Sequence, residues 1–244
     1  MSAVATLPTR RDEAWRYADL DAVARLWPLP DAECITVADG GHFARTLVQD
    51  AGGVVQLVLT LGKGAVGAVH VLNTGGDYGR IELDVTLHEG ADFTLGGAQV
   101  GGASQTLEIV STVRHIEPNA RSHQVVRSVL AGQAVGTCLG KVAVSKGAIG
   151  TDAEQSVRAM LLDRTAQANA KPELEIFADD VKCAHGCAVG ELDAMGLFYL
   201  QSRGLTPPEA KALMLQAFLA EAFTGAEEAE RLQALALERL EGVL

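Results

Sequence analysis

The stretch Arg80-Ile81-Glu82-Leu83-Asp84-Val85-Thr86-Leu87-His88 carries the period that decides the fold. Ile81, Leu83, Val85 and Leu87 alternate with Arg80, Glu82, Asp84, Thr86 and His88. Successive side chains of a strand point to opposite faces, so this pattern describes a strand with one apolar and one solvated face. Val55, Leu57, Leu59 and Leu61 make a second such row, and residues 68–72 read as another strand. Further strands are expected at 106–114, 124–130, 139–144, 156–162 and 173–178. Short turns of small residues separate them: Glu89-Gly90-Ala91, Pro118-Asn119-Ala120, Ala131-Gly132-Gln133 and Lys146-Gly147-Ala148. Strands at fairly even intervals build a sandwich, a barrel or a solenoid. No strict period singles out the solenoid. Lys141, Arg158 and Glu175, opposite the aliphatic rows, suit the wet exterior of a solenoid and equally that of a sandwich.

Both ends of the chain change period. Residues 12–26 have helical spacing, with Trp15, Leu20, Val23 and Leu26 on one broad face, and Pro28 and Pro30 end the run. From about residue 193 the chain reads as helix again. Asp193 is an N-cap ahead of Leu197, Tyr199 and Leu200, and Gly204 stands at a C′ position. Thr206-Pro207-Pro208-Glu209 has the spacing of a capping box with Pro at N1, ahead of Leu213, Leu215, Phe218, Leu219 and Phe223. Thr224-Gly225-Ala226-Glu227 repeats that spacing and is expected to open a last helix through Leu232, Leu235, Leu237 and Leu240. The expected organisation is a helical segment at 1–31, a β core at 32–190 and a helical region at 191–244. A tail rich in Leu and Ala docks on a partner or on its parent domain.

Composition narrows the function. The 244 residues carry a formal net charge of −11, which argues against a nucleic-acid binder. The first dozen residues hold Arg10 and Arg11 but no apolar core of a secretion signal, and no run of about 18 apolar residues exists. A soluble cytoplasmic protein is the expectation, with Cys34, Cys138, Cys183 and Cys187 reduced. Twenty-six glycines and 5% aromatics fit many tight turns around small aliphatic side chains.

Three motifs are decoys. Gly62-Lys63-Gly64-Ala65-Val66-Gly67 matches a dinucleotide fingerprint, but a strand rather than a helix follows it, which reads as a hairpin turn. Gly140-Lys141 lacks the earlier Gly of a phosphate loop, where Val135 stands, and Val142 replaces the hydroxyl residue. His88-Glu89 is followed by Asp92 rather than a second His.

The stretch Asp179-Asp180-Val181-Lys182-Cys183-Ala184-His185-Gly186-Cys187 carries the chemistry. On a strand Cys183, His185 and Cys187 share one face. Thiolate and imidazole both ligate iron or zinc, with Asp179 and Asp180 near enough in sequence to lend carboxylates. Val181 and Val189 lie on the same face, so buried core is the competing reading. Three ligands on one strand do not complete a tetrahedron, so the remainder must come from elsewhere, including another subunit. Cys34 and Cys138 carry no ligand pattern and read as structural.

Two segments resemble a known family. The run from Glu173 through Lys182-Cys183-Ala184-His185-Gly186 to Gly190, with Leu197-Phe198-Tyr199-Leu200-Gln201-Ser202-Arg203-Gly204-Leu205, resembles the signature of SufD-type subunits of the SUF iron–sulfur cluster assembly complex. Glu13-Ala14-Trp15-Arg16-Tyr17-Ala18-Asp19-Leu20 is similar to a short N-terminal motif of the same SufB/SufD family. The resemblance implies a right-handed parallel β-helix flanked by helices, and a scaffold that is not an enzyme. It implies pairing with a SufB-like paralogue through the last β-helix strands. A SufC-like ABC ATPase would dock on the C-terminal helices. Cys183 and His185 would face the paralogue and meet iron or a nascent cluster there, transiently and shared with that partner, with none tightly bound. The isolated chain is expected to form a homodimer, because open terminal coils leave edge strands uncovered. Cys187 stands where the family commonly has a small non-thiol residue, and the N-terminal region is short for the family. A structural or carbohydrate-active β-helix protein without a metal role is the alternative.

Overall fold

The computed structural model describes residues 6–244; positions 1–5 of the N-terminal segment lie outside the described residues. The strands are β1 (Glu33–Val37), β2 (His42–Gln49), β3 (Gly53–Leu61), β4 (Val66–Asn73), β5 (Tyr78–Leu87) and β6 (Asp92–Gly101). They continue as β7 (Thr106–His115), β8 (Arg121–Leu130), β9 (Val135–Val144), β10 (Asp152–Leu161), β11 (Gln167–Ile176) and β12 (Lys182–Gly190). Odd strands form one sheet in the order β1-β3-β5-β7-β9-β11, and even strands form the other in the order β12-β10-β8-β6-β4-β2. All the pairings are parallel and join each strand to the next but one. A chain that alternates between two parallel sheets winds as a β-solenoid, adding one strand to each sheet per coil.

The alternation read at Arg80–His88 becomes stacked columns. Leu59, Val85, Val113 and Val142 occupy one register position on successive coils, and all four are fully buried in the lumen. Each such burial contributes roughly 1.5–3 kcal/mol. The small-residue turns are the corners. Gly40, Gly64, Gly90, Asn119, Gly150 and Asp180 stack there, all with left-handed φ. Their neighbours in the column are 24 to 31 residues apart, which is why no fixed period shows in the sequence. The Gly62–Gly67 loop is one of these corners, joining β3 in one sheet to β4 in the other, and not the hairpin its spacing suggested. Gly62 is needed there, because a Cβ would fall 2.5 Å from Asp39 Oδ1.

Two covers close the outer faces. The N-terminal run expected as one helix is split into a 3-10 turn, Glu13–Trp15, and a short helix α1 (Leu20–Leu26). The break comes from Asp19, whose side chain caps α1 by accepting from the Asp21 and Ala22 amides. Trp15 is thereby free to lie on the odd-strand sheet, 3.8 Å from the Arg80 guanidinium carbon. Arg80 alternates outward as read, but it is fully buried rather than solvated. Its Nη1 donates to Glu108 Oε2 at 2.6 Å and to the Ala14 carbonyl at 3.0 Å. Tyr78 Oη donates to the same Glu108 oxygen at 3.0 Å.

The even-strand sheet is covered by helices α3 (Pro207–Ala220) and α4 (Ala229–Glu241), joined through a 3-10 turn at Glu221–Phe223. Leu215, Phe218, Leu219, Phe223, Leu232 and Leu240 pack on Leu72, Ala98, Val100 and Val129. The covering backbone comes so close that a Cβ at Gly96 would sit 1.9 Å from the Ala222 carbonyl oxygen. The Thr206–Glu209 capping box forms as its spacing predicts. The second one does not: α4 begins only at Ala229, because the segment after Phe223 first turns through Gly225 and the Thr224 carbonyl is engaged by His70. Helix α2 (Ala194–Ser202), capped by Asp193, is different again: it packs on α3 and buries none of its residues.

Candidate functional site

The Cys183-Ala184-His185-Gly186-Cys187 run lies on β12, the terminal strand of its sheet. Register places Cys183 over Ala153, His185 over Gln155, Cys187 over Val157 and Val189 over Ala159. All four residues of β10 point into the lumen and are buried. Cys183, His185 and Cys187 therefore do share one face, and it is the inward face. The buried-core reading nevertheless fails for His185, Cys187 and Val189. Among the described residues no further strand pairs with β12, and these three are exposed and Cys183 is half-buried.

Opposite them, β11 ends the other sheet and turns Ala168, Ala170, Pro172 and Leu174 inward, in register with Gly136, Cys138, Gly140 and Val142. The open end is thus a shallow floor of small residues, with Cys and His along one side. Cys187 Sγ lies 3.9 Å from the Ala170 carbonyl oxygen. Partial burial pushes the Cys183 thiol up, and full burial pushes Cys138, one coil deeper, up to about 12. Both favour the neutral thiol until a cation takes the proton's place. Cys34 is exposed at the far end of the solenoid.

Imidazole and thiol are suitable donors for iron, but the set is incomplete. Among the described residues no group of three or more His, Cys, Asp or Glu side chains is arranged to hold a metal ion. Asp180 lies in the corner column, where its backbone carbonyl accepts from the Gly150 amide at 2.9 Å.

One group was missed by the sequence reading. Gln124 and Gln155 stand in the His185 column, buried in the lumen where alternation predicts aliphatics. They carry no local motif; only their inward parity on β8 and β10 could have revealed them. Around α2, Met195, Phe198 and Tyr199 are 71%, 67% and 56% exposed, a large apolar surface on a helix joined to β12 by Glu191-Leu192-Asp193. Phe177, after β11, is 64% exposed.

These features define a class: a parallel β-solenoid with both outer faces covered and its last coil uncovered, with Cys and His side chains along that edge. Comparison with known proteins gives the family. Residues 34–218 match the family model described as "SUF system FeS cluster assembly, SufBD core domain". The chain belongs to the SufBD family of the SUF iron–sulfur cluster assembly system. It is 33% identical over 151 residues to the iron–sulfur cluster assembly protein SufD of Escherichia coli, an alignment covering 53% of this chain and 36% of that one. A SufBD-family iron–sulfur cluster assembly protein of Synechocystis is 35% identical over 157 residues, 62% of this chain and 33% of its own. SufD of Bacillus subtilis is 32% identical over 121 residues, 50% and 28% respectively. The chain spans about a third of the length of the curated relatives it matches. No helix among the described residues is long and apolar enough to cross a membrane.

Proposed function

We propose that this chain is a scaffold subunit of a SUF-type complex, without catalytic groups of its own, working in the cytoplasm. It pairs with a SufB-like paralogue across the open end of the solenoid, and His185 and Cys183 present donors to iron or a nascent cluster at that junction. The cluster is cargo, held in passing and completed by the partner's ligands. The observation that carries this reading is the terminal coil: donors on an inward face that no further strand covers among the described residues. Unpaired ladder groups on β11 and β12 favour closure by another solenoid, and in the absence of the paralogue a second copy of this chain.

The exposed apolar face of α2 supports docking of a SufC-like ATPase. Three residues link α2 to the strand that carries His185, so a pull on the helix reaches the junction directly. A carbohydrate-active site is less well supported. Asp84, Glu82, Glu173 and Glu175 on the outer odd-strand face are each paired, with Arg114, Arg80, Lys171 and Lys141.

The test is co-expression with the SufB-like and SufC-like proteins of the same source, comparing wild type with His185→Ala. We expect both to enter the complex and only wild type to build cluster, read by visible absorption and iron content. Failure of wild type to enter the complex, or full cluster on His185→Ala, would overturn the reading.

A further inference from the structure

Beneath His185 the lumen is not aliphatic. Its column runs Leu95, Gln124, Gln155, His185 on successive coils. The facing column of the other sheet runs Ser111, Gly140, Pro172. Ser111 Oγ donates to Gln124 Oε1 across the lumen at 2.8 Å. One coil nearer the open end, the Gln155 carboxamide reaches to Gly140, where a Cβ would come 2.9 Å from its Nε2. Gln155 is 2% exposed, and its Oε1 is buried with no hydrogen-bond partner. A buried acceptor left unpaired costs about 1–3 kcal/mol.

Two side chains of the column flank it: Gln124 below, whose buried Nε2 is likewise unpaired, and His185 above, at the open end. Parallel neighbours lie about 4.8 Å apart, and His185 faces the same lumen. An imidazole that ligates a metal through one nitrogen must carry its proton on the other, and a partner that accepts that N–H fixes the tautomer and the ring plane. We infer that Gln155 is the positioning residue of His185. Its Oε1 accepts the lumen-side N–H of the imidazole and so leaves the other ring nitrogen, unprotonated, for an incoming cation at the open end. Gly140 belongs to the same device, because its missing side chain is what lets the carboxamide lie across the lumen.

This rests on the proposed role of His185, but it can be tested without metal or partner. The protein labelled with nitrogen-15 at histidine is examined by NMR at about pH 8.5. His185→Ala identifies the signal. Wild type is expected to show a single tautomer at His185. Gln155→Met, similar in shape but with no amide acceptor, is expected to show a mixture of two. Gly140→Ala displaces the same carboxamide from the opposite wall and is expected to give the same mixture, which keeps the test open should the first variant fold poorly. A wild-type mixture, or a single tautomer that persists in both variants, overturns the inference. In the complex with the paralogue, Gln155→Met should weaken ferrous-iron binding by roughly 10- to 100-fold, and unchanged binding would count against it. A locked tautomer that both variants release, combined with full cluster formation on His185→Ala, would sink the proposed function while leaving the positioning role intact.

Discussion

The two outer faces of the solenoid are covered by unlike means. The odd-strand face is held by a short N-terminal segment through a polar knot, in which Arg80, Glu108, Tyr78, Trp15 and the Ala14 carbonyl meet, beside a small apolar cluster of Ala18, Ala22, Val23 and Val54. The even-strand face is held by two helices chiefly through apolar area, from Leu215 to Leu240, with the buried Arg127 paired to Glu221 of the covering turn. A polar knot fixes one orientation, because each donor has one acceptor. An apolar pad tolerates repacking, because its free energy scales with area. The difference matters for function. The N-terminal segment crosses toward the open end, where Glu13 pairs with Lys171 on β11, while the helical pad leads back through α3 to the exposed α2. The rigid cover sits beside the proposed junction, and the adaptable one lies next to the helix expected to be pulled.

A large effect should come from unpairing the knot. Glu108→Ala takes away the buried 2.6 Å partner of Arg80 and leaves it only the partly exposed Glu82 at 3.2 Å. The expected cost is about 3 kcal/mol in urea unfolding, the low end for a broken buried pair because Glu82 remains. The double variant Arg80→Met, Glu108→Leu should recover most of it, since two apolar groups replace two buried charges. A loss of only about 1 kcal/mol for Glu108→Ala would mean that Trp15 burial, and not the ion pair, fastens this face.

The apolar pad should respond to size instead. Leu215→Ala, at a fully buried site, should cost about 3 kcal/mol. Leu215→Met should cost less than about 1.5 kcal/mol. Arg80→Lys has no such tolerance, because the fork that reaches Glu108, Glu82 and Ala14 together is lost. Comparable losses for the two conservative changes would erase the distinction between the covers.

How much of this the sequence disclosed follows the same division. Alternation is local, so most of the strands and the shared face of Cys183, His185 and Cys187 could be read directly, while β1, β2 and the glycine-interrupted β6 were missed. Covers are not local. Arg80 alternates outward, and nothing within its strand tells that Trp15, 65 positions earlier, lies over it. Whether His185 is core or surface could not be read either, since that depends on whether another coil follows. The start of α4 was misread because a capping-box spacing is only permissive: Thr224 had the right neighbours, but its carbonyl was already engaged by His70. Gln155 passed unnoticed because an inward glutamine has meaning only once the register sets it beneath a histidine.

That His70 contact gives the subtlest way to separate the covers. His70 lies on β4 under the helical pad, 4% exposed, with Nε2 at 3.3 Å from the Thr224 carbonyl. Burial lowers its pKa below the ordinary value, and the Thr224 carbonyl only partly offsets this. Its ladder neighbours Thr46 and Gly96 carry no charge, and Glu221 of the covering turn is committed to Arg127. The unfolded chain therefore takes up a proton at higher pH than the folded one. Stability is complete above about pH 7 and falls as pH drops through the unfolded value of about 6.5 toward the lower folded one. His115, in the lumen with a pKa depressed to about 4, adds the same sign of acid sensitivity to the core that both covers share. The local part is what His70 supplies. Amide exchange corrected for intrinsic rates should quicken in α4 between about pH 7.5 and 5.5 more than in α1. His70→Gln should abolish that excess, because a neutral amide makes the same contact without titrating. Equal acceleration in the two helices would show that acid acts through the shared core, and that His70 does not distinguish the pad from the knot.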